Sequence, residues 1–596
     1  MDERLECLRA VMAERKIDAY LVPSGDYHLS EFTEEYFKCK EFLTGFHGAS
    51  GTVVITMSDA CLWTGKEYWD EAEEKLRGTG CRLKRMGEPG VPTIAEYLRE
   101  AMPDKSVLGF DGRVVSCRMG KWLEEELEKK QIRFSSEEDL VGLIWEDRPK
   151  LSMEPVWLLP ERYAGRTAKQ KIDWLRAEMK KAGAEAHILT ALEDISWLFN
   201  LRANDTPCNP VVRAYSLVTM EEVFLFLEED TLEDAARTYL ADSGVAVRPY
   251  YAIYKMAASL SDNSVLLESG KVSYAIMQSL GKGVRVIDRK NPTTLAKAIK
   301  NPVEVESERQ AHIKDGTAVT KFIYWLKKNV GKLSITEISA ARHLDELRAA
   351  QEGYLGISFR TISAYRDHAA HPHYFASPDT DRVLEPEGLY MVDSGGQYYE
   401  GTTDITRTVA LGELTEEERK YFTLVVICML RLAGAKFPYG CRGTTLDYAA
   451  REPLWSRGLN YDHGTGHGVG FLLNVHEGPN GIRYRFSGDQ IEDPVLEEGM
   501  ICSDEPGLYL EGQYGMRTEN MIVCRKGEKT PFGQFMEFEP LTMAPIDLDV
   551  LDISLMEQRD IDSLNAYHQL VYNKIAPHLT EEEAIWLKEA TKPIEK

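Results

Sequence analysis

Hydrophobic positions at the start of the chain have the spacing of a helix and then of a strand. Leu5, Leu8, Val11 and Met12 recur at intervals of three or four residues, as on one face of a helix. The run 18–23 that follows is short and mainly apolar, and it ends at a turn of Ser, Gly and Asp. This order of helix, strand and turn predicts the beginning of an α/β unit.

The same order of elements returns further along the chain. The helical segment 174–179 precedes the apolar run 187–191, as the segment 7–12 precedes the first strand. Each copy continues into an aromatic segment, at 41–46 and at 196–201. Two related α/β domains are the economical explanation, and chance reuse of a common helix–strand pattern is the alternative.

Two proline-bearing stretches predict where domains meet. The polar segment 148–155 suits a linker. Asn301-Pro302 is the second candidate boundary. It precedes one long amphipathic helix predicted over 307–330, with apolar positions at Ile313, Val319, Phe322, Ile323 and Leu326.

The pattern of predicted strands and helices changes in the last third of the chain. From Leu389 onward, short strands broken by glycine surround a predicted helix over 416–433. After Pro545 the pattern is helical, with a capping box at 580–583, and this tail should pack on the domain before it. We therefore predict an α/β chain of four regions, at 1–152, 153–300, 301–545 and 546–596.

Composition excludes several functions. At about 150 residues per domain, the 596 residues agree with three or four units. A formal net charge of −25 opposes binding to nucleic-acid phosphates or to an anionic membrane. The sequence starts without the basic and apolar stretch of a secretory signal, and no segment approaches the roughly 18 apolar residues of a membrane span, so we expect a cytosolic protein. The ten cysteines contain no C-x-x-C pair and are predicted to be small buried hydrophobes.

Carboxylates follow strand-like segments in the third region. Asp393 ends the apolar run that begins at Leu389, and Asp404 lies on the returning segment 401–408. Residues near the two ends of such a hairpin can face one another. Two facing carboxylates repel each other unless a proton or a cation lies between them.

Histidines and further carboxylates complete the pattern. His463 and His467 lie in a glycine-rich segment, where imidazoles can approach other groups closely, and His476 follows. Each piece alone is typical of a turn or a surface loop, and the stretch lacks the helix and the glutamate of an H-E-x-x-H zinc site. Together they offer a ligand set that suits two hard divalent cations, namely Asp393, Asp404, His467, Glu505 and Glu519.

These segments carry a family resemblance. The signatures are Val392-Asp-Ser-Gly-Gly396, His463-Gly-Thr-Gly-His-Gly-Val-Gly470, Asn474-Val-His-Glu-Gly-Pro479, Asp504-Glu-Pro-Gly507 and Arg517-Thr-Glu-Asn520. The third region resembles the pita-bread fold of creatinase, methionine aminopeptidase, prolidase and aminopeptidase P, peptidase family M24. The full layout resembles the long, cytosolic Xaa-Pro aminopeptidases, with two creatinase-like N-terminal α/β domains before the catalytic one.

The resemblance implies a metal-dependent aminopeptidase that hydrolyses the bond between the first residue and a proline at the second position. Asp404 and Glu519 would bridge two divalent ions, usually Mn²⁺ in this family. Asp393 would hold one ion, while His467 and Glu505 hold the other. A hydroxide bridging the two ions would attack the scissile carbonyl, and Glu505 would accept a proton.

Further residues match substrate contacts of the family. His373, His463 and His476 correspond to imidazoles that touch the substrate or stabilise the transition state. His373 has two close neighbours in the sequence, His368 and His371, in a segment that departs from the family's glycine-rich version. The resemblance also implies that Arg517 orients the bridging carboxylates and contributes to substrate binding, that Tyr509 lines the proline pocket, and that the protein is a homodimer.

Several alternatives share these residues. A prolidase uses the same five ligands on dipeptides, but usually carries one domain before the catalytic one. Methionine aminopeptidase lacks the paired N-terminal extension, and creatinase does not retain the ligand set. A non-catalytic binding protein on a peptidase fold typically loses the ligands and gains a long acidic tail, and this sequence shows neither change.

Overall fold

A computed structural model describes residues 2–485 and 493–596, and these divide into two units. The first unit contains residues up to Leu158 together with 166–207 and 211–293. The second contains 159–165, 208–210 and 294–596. The four boundaries predicted from the sequence stay a prediction.

The first unit begins with a six-stranded sheet in the order β4-β3-β2-β1-β5-β6. The central strand β1 is antiparallel to β2 and parallel to β5, and the outer pairs β3–β4 and β5–β6 are parallel. The strands are β1 Ala19–Pro23, β2 Thr52–Thr56, β3 Ala60–Thr64, β4 Arg82–Arg85, β5 Val107–Phe110 and β6 Arg133–Ser135.

The second sheet of this unit repeats the first. Its order is β12-β11-β10-β8-β13-β14, with the same sequence of antiparallel and parallel neighbours. Two short strands, β7 and β9, pair separately. The identical topology confirms the predicted repeat of an α/β domain. The strands are β7 Trp157–Leu158, β8 Ala186–Leu189, β9 Leu201–Arg202, β10 Tyr215–Thr219, β11 Val223–Phe226, β12 Val245–Arg248, β13 Ser264–Leu267 and β14 Arg285–Asp288.

Helices lie before, between and after these strands, but α7 (Glu161–Ala164) belongs to the second unit and α13 (Pro292–Ala298) begins in the first unit and ends in the second. The first copy opens with α1 and the second with α8, which has a capping box at Thr167 and a left-handed Gly183 at its end. The helices are α1 Asp2–Arg15, α2 Cys39–Thr44, α3 Trp69–Lys75, α4 Ile94–Ala101, α5 Cys117–Leu127, α6 Leu140–Ile144, α7 Glu161–Ala164, α8 Ala168–Ala182, α9 Leu192–Phe199, α10 Asp234–Asp242, α11 Ala252–Ser259, α12 Tyr274–Ser279 and α13 Pro292–Ala298.

The second unit is built from small antiparallel sheets and long helices. Three strands form the sheet β16-β17-β20 and four form β21-β28-β27-β24. The strands are β15 Tyr354–Ile357, β16 Ile362–Tyr365, β17 Leu389–Ser394, β18 Gly396–Tyr398, β19 Gly401–Thr402, β20 Ile405–Ala410, β21 Lys436–Pro438, β22 Gly466–His467, β23 Gly481–Ile482, β24 Ile501–Asp504, β25 Gly507–Leu510, β26 Tyr514–Arg517, β27 Asn520–Thr530 and β28 Gly533–Pro540.

The long helix of this unit starts earlier than the apolar pattern predicts. It begins at Pro302, because Asn301 caps it by accepting hydrogen bonds from two backbone amides and proline suits the first helical turn. Its buried residues include several polar ones, so it is not simply amphipathic. The helices of the unit are α14 Pro302–Asn329, α15 Glu337–Ala349, α16 Glu416–Ala433, α17 Gly443–Trp455, α18 Gln558–Ile575 and α19 Glu581–Ala590.

The C-terminal helices pack on this unit, as the sequence predicts. Ile561, Leu564 and Val571 of α18 share a hydrophobic core with Phe422 of α16. The capping box at Thr580, which starts α19, is also confirmed. Because these apolar residues of α18 belong to the same hydrophobic core as α16, the C-terminal helices stabilise the second unit.

Two predictions from the sequence concern the burial of the cysteines and the absence of membrane-spanning segments. All ten cysteines are free thiols, and six are buried, but Cys7 on α1 is exposed. The prediction of uniformly buried cysteines is therefore wrong for this one. Among the residues that the structure describes, none of the helices combines the length and the apolar character that a bilayer crossing requires.

Candidate metal centre

The first two predicted ligands lie on neighbouring antiparallel strands. Strand β17 pairs with β20, and Asp393 near the end of β17 is opposite Thr406. Asp404 directly precedes β20, and both carboxylates are buried. The ladder therefore brings together two carboxylates from the two sides of the predicted hairpin.

Two further carboxylates come from the end of another ladder. Strand β24 pairs with β27 so that Asp504 is opposite Asn520, and Glu505 and Glu519 lie just beyond this pair. The Nε2 atom of His467 is 3.4 Å from Oδ2 of Asp404 and 3.5 Å from Oε1 of Glu505. The strand ends thus converge on one imidazole.

Three of the five ligands form a tight group. Ligand atoms of Asp404, His467 and Glu519 all lie within 4.8 Å of one another. Glu505 joins the group through its approach to His467, and Asp393 joins through the β17–β20 ladder. The structure therefore places all five predicted ligands in one neighbourhood, with Asp393 and Glu505 at its edge.

Glycines make the approach of His467 possible. A Cβ atom on Gly466 would lie 1.9 Å from the carbonyl oxygen of Ser503, and one on Gly468 would lie 2.1 Å from that of Glu477. Both contacts are impossible for any other residue type. The glycine-rich segment is thus required for close backbone packing around the imidazole.

The carboxylates fit a cation because their oxygens are buried and unsatisfied. Within the part of the chain that the structure describes, Oδ1 of Asp393 and Oε1 of Glu519 are buried and accept no hydrogen bond. Burial raises the pKa of both groups, and the neighbouring Asp404 raises both further. Leaving such groups unpaired is costly, and a hard cation would satisfy them.

The same cluster of carboxylates shifts the pKa of His467. Burial lowers its pKa, but the hydrogen bond to Asp404 and the charges of Glu505 and Asp404 outweigh burial and raise the pKa to about 9. Its Nδ1 donates to the carbonyl oxygen of Gly468 at 3.0 Å, which leaves Nε2 directed at the carboxylates. This is the orientation that a nitrogen ligand of a metal requires.

Both ring nitrogens of His463 form hydrogen bonds. Its Nδ1 donates to the Gly464 carbonyl oxygen at 2.7 Å, so its Nε2 accepts the Tyr509 hydroxyl proton at 2.9 Å. Burial and the nearby Arg517 lower the pKa of His463 to about 3, and burial raises the pKa of Tyr509 to about 12. The imidazole is therefore neutral over the physiological range.

The other two predicted imidazoles are exposed. The ring of His476 meets that of His467 edge-on, with centroids 4.6 Å apart. His373 is close enough to His463 to lower the pKa of that imidazole. Its neighbour His368 instead binds the buried Glu337 at 2.9 Å, in a separate polar network. The geometry thus distinguishes His373 from His368.

The chain is similar to known aminopeptidases over its whole length. It is 38% identical to "Probable Xaa-Pro aminopeptidase P" of Paracoccidioides lutzii over 614 residues, which cover 99% of both chains. This chain belongs to the aminopeptidase P family. "Aminopeptidase P1" of Arabidopsis thaliana is 35% identical over 648 residues, covering 100% of this chain and 99% of the relative.

Family models and a solved structure agree with this membership. Residues 306–526 match metallopeptidase family M24, 534–594 match the C-terminal region of that peptidase, and 4–143 and 147–304 each match the creatinase/prolidase N-terminal domain. The X-prolyl aminopeptidase of Caenorhabditis elegans, described as a cytosolic enzyme with a di-nuclear active site, superposes with a TM-score of 0.92, 35% identity and 99% coverage of both chains. The fold predicted from the sequence is confirmed.

The side chain of Arg517 in this aminopeptidase P family chain contacts two of the predicted site residues. Its Nη2 donates to Oδ2 of Asp393 at 2.5 Å, and its Nη1 donates to the Tyr509 hydroxyl at 2.6 Å. Thr406 links it to Glu519, because the Thr406 hydroxyl accepts from Nε at 3.1 Å and donates to Glu519 at 2.8 Å. Arg517 therefore contacts Asp393 directly and is linked to Glu519 through Thr406, and its role in orienting the bridging carboxylates stays a prediction.

Two supporting hydroxyls are absent from the sequence-based site. Thr406 joins Arg517 to Glu519, as described above. Ser503 accepts a hydrogen bond from the backbone amide of His467 at 2.8 Å and donates to Oε1 of Glu505 at 3.0 Å. Each lies one or two residues from a predicted ligand, so a search of strand neighbours for hydroxyls would have found both.

Proposed function

We propose that this chain is a metal-dependent aminopeptidase that cleaves the bond between an N-terminal residue and a following proline, with two divalent ions, Mn²⁺, in its site. The observation that supports the proposal most is the group of Asp404, His467 and Glu519, with Glu505 3.5 Å from His467, beside buried oxygens of Asp393 and Glu519 that accept no hydrogen bond from the described residues. The di-nuclear active site named for the C. elegans relative supports the number of ions. The carboxylate-rich ligand set supports manganese.

The five ligands would divide between two ions. Asp404 and Glu519 would contribute to holding both, Asp393 to one, and His467 and Glu505 to the other. Two divalent cations would balance the four negative charges and relieve the repulsion that raises the pKa of Asp393 and Glu519. Arg517 holds Asp393 and Thr406 holds Glu519 by hydrogen bonds. Ser503 holds Glu505 in the same way.

The chemistry of cleavage assigns proton transfer to Glu505. Bound divalent ions lower the pKa of a water and polarise the scissile carbonyl. Because the Ser503 hydroxyl already donates to Oε1 of Glu505, Oε2 is the oxygen that would be free to accept a proton. Burial raises the pKa of Glu505, which favours the carboxylate as a proton acceptor.

Three histidines and Tyr509 are assigned to contacts with the substrate. The scissile bond before proline has no N–H to donate to the enzyme, and its leaving nitrogen, like that of any amide, needs a donated proton. We assign contact with the substrate to the exposed rings of His373 and His476. His463 contributes once its Nε2 exchanges the Tyr509 hydroxyl for the substrate, and Tyr509 then lines the proline pocket beside Arg517.

The decisive experiment compares three substrates on protein stripped of metal and then supplied with Mn²⁺. An Arg-Pro-Pro-like peptide should be cleaved after the first residue only when metal is restored. A Xaa-Pro dipeptide and a peptide without proline at the second position should be poor substrates. Preference for the dipeptide would assign the chain to the prolidases, and no cleavage of any Xaa-Pro peptide would favour a non-catalytic binding protein.

Assembly and location belong to the same proposal. We expect a homodimer located in the cytosol, without a nucleic-acid or membrane partner; the cytosolic enzyme named for the C. elegans relative and the net charge of −25 support this location and the absence of those partners. Light scattering at working concentration tests the dimer. A monomer alone would refute it.

A further inference from the structure

The loop that carries His476 is closed by hydrogen bonds within itself. The Glu477 amide donates to the Gly468 carbonyl oxygen at 2.8 Å, and the Gly470 amide donates to that of Asn474 at 3.0 Å. The Asn474 side chain accepts from the His476 amide at 3.0 Å. These bonds give the loop a shape, and the middle of the loop is attached to the rest of the unit at Leu473, whose carbonyl oxygen accepts from the Gln397 side chain at 2.8 Å.

One buried lysine contacts this loop at two points close to its imidazoles. Lys300 directly precedes the Asn301 cap of α14, and its side chain is 1% exposed. Its ammonium donates to the carbonyl oxygen of Val469 and to Oε1 of Glu477, the latter at 2.8 Å. Val469 lies two residues after His467, and Glu477 follows His476 directly. A single cation therefore contacts the loop beside both imidazoles.

The carboxylate of Glu477 is fully enclosed by this arrangement. Its side chain is 2% exposed, and its Oε2 lies 3.2 Å from the ammonium of Lys297 on α13. Burial alone would raise the pKa of Glu477, but Lys297 and Lys300 outweigh burial, and the net pKa shift is downward. Glu477 is thus a buried anion that neighbouring lysines keep ionised.

A buried ion pair is weak evidence for stability, because desolvation of two charges offsets much of their attraction. Its strong effect is on geometry, since breaking the pair leaves an uncompensated charge in the interior. Here that geometry fixes the residue after His476, an imidazole whose ring is 4.6 Å from that of His467. The pair is therefore placed to control how His476 faces the ligand group.

We propose that Lys300 and Glu477 are positioning residues that hold the His476 imidazole beside the metal ligands during peptide cleavage. This inference rests on the proposed function, in which His476 touches the substrate. Lys300 acts through His476 and not on the substrate. Neither residue is part of the ligand set.

The test is a double-mutant cycle with Lys300→Met and His476→Ala, assayed on the Arg-Pro-Pro-like peptide with measured metal content. Lys300→Met should lower kcat about 10- to 100-fold, as is typical when support of a functional group is lost, with metal content unchanged. Because Lys300 acts through His476, the double variant should be no slower than His476→Ala alone. If the two losses multiply instead, or if Lys300→Met keeps the wild-type kcat, the inference is wrong.

A second readout does not depend on activity. The imidazole resonances of His476 in the metal-free protein, assigned with the His476→Ala variant, should move in Lys300→Met. The matched control is Lys327→Met, which breaks the pair of a lysine on α14 with Asp547 at 2.6 Å. That control should lower the melting temperature and leave both the His476 resonances and kcat unchanged. Unmoved resonances in Lys300→Met would also overturn the inference.

The cycle separates the two ways of failing. If Lys300→Met does not fold, Glu477→Gln takes its place, because it keeps the side-chain volume and removes the same charge pair. A wild-type protein that cleaves no Xaa-Pro peptide would defeat the proposed function and this inference with it. A wild-type protein that cleaves, with multiplicative losses in the cycle, would defeat the inference alone.

Discussion

Two histidines, one in each unit, show how opposite environments act on the same side chain. His28 of the first unit is 2% exposed and lies between the carbonyl oxygen of Thr190 at 2.8 Å and the Tyr250 hydroxyl at 2.6 Å. Burial lowers its pKa to about 3. His467 of the second unit is directed at Asp404 and Glu505, and its pKa is raised to about 9. The imidazole of His28, which has only neutral hydrogen-bond partners, stays uncharged, whereas nearby carboxylates stabilise the protonated imidazole of His467.

Buried carboxylates differ between the units in the same way. Both oxygens of Glu34 in the first unit are used, one by Arg213 at 2.7 Å and one by the amide of Ser152 at 2.8 Å. In the second unit, Oε2 of Glu519 accepts from Thr406, but its Oε1 is buried and accepts no hydrogen bond from the described residues. A charge that the protein has satisfied is structural. A charge that several neighbours leave unsatisfied indicates a ligand.

The largest expected effect comes from removing the charge of Glu519. Glu519→Gln should lower kcat by more than the roughly 100-fold typical of supporting residues, because the side chain is assigned to both ions. The metal-free variant should nevertheless be more stable than the metal-free wild type at pH 8. Burial raises the pKa of Glu519 well above its usual range, so its contribution to stability is present below about pH 4.5 and is lost as the pH rises.

Thermal melts of chelator-treated protein at pH 5 and pH 8, beside turnover with Mn²⁺, check both parts of this prediction. The stability advantage of Glu519→Gln should grow between the two pH values. Glu539→Gln is the control, since Glu539 forms an ion pair with Arg309 away from the ligand group and should change neither property much. A metal-free variant less stable than the wild type would contradict the argument.

The ligand set could be predicted from the sequence because each member follows a local signal. Asp393 ends an apolar strand before two glycines, and His467 lies between glycines whose absent Cβ atoms the structure requires. The convergence of these residues came from the family resemblance. Strand order such as β16-β17-β20 depends on pairings between distant segments, which hydrophobic spacing does not encode.

The supporting residues could not be predicted in the same way. The amphipathic pattern of α14 assigns polar positions to solvent, but Glu308 and His312 are buried because the helix packs on more than one side. In the sequence, Lys300 is simply the residue before the predicted boundary at Asn301-Pro302. The structure shows that its ammonium donates to Glu477, which is distant in the sequence. Arg517 was recognised in its motif, yet its direct partner, Asp393, became visible only in the structure.

An intermediate effect is expected from breaking a satisfied pair in the first unit. Arg213→Met leaves Glu34 buried without its cation, which should lower the free energy of unfolding by about 3–5 kcal/mol. Metal content and kcat of the folded protein should be unchanged, because no ligand is touched. Denaturant unfolding measures the first quantity. Arg82→Met, which removes an exposed ion pair with Asp59, is the control and should cost at most about 1 kcal/mol.

The smallest expected effect is a pH dependence from His28. Its folded pKa of about 3 lies below the ordinary value of 6.5, so the unfolded chain binds the proton more readily. The neutral imidazole therefore contributes stability that is fully present above pH 6.5 and is lost as the pH falls toward 3, with a slope of up to about 1.4 kcal/mol per pH unit. His28→Gln should remove this part of the slope between pH 7 and pH 4. The measurement is the free energy of unfolding at several pH values, with His47→Gln, an exposed histidine, as the control. An unchanged slope in His28→Gln would mean that the imidazole is accessible to protons in the folded chain, and the contrast with His467 would then lose its physical basis.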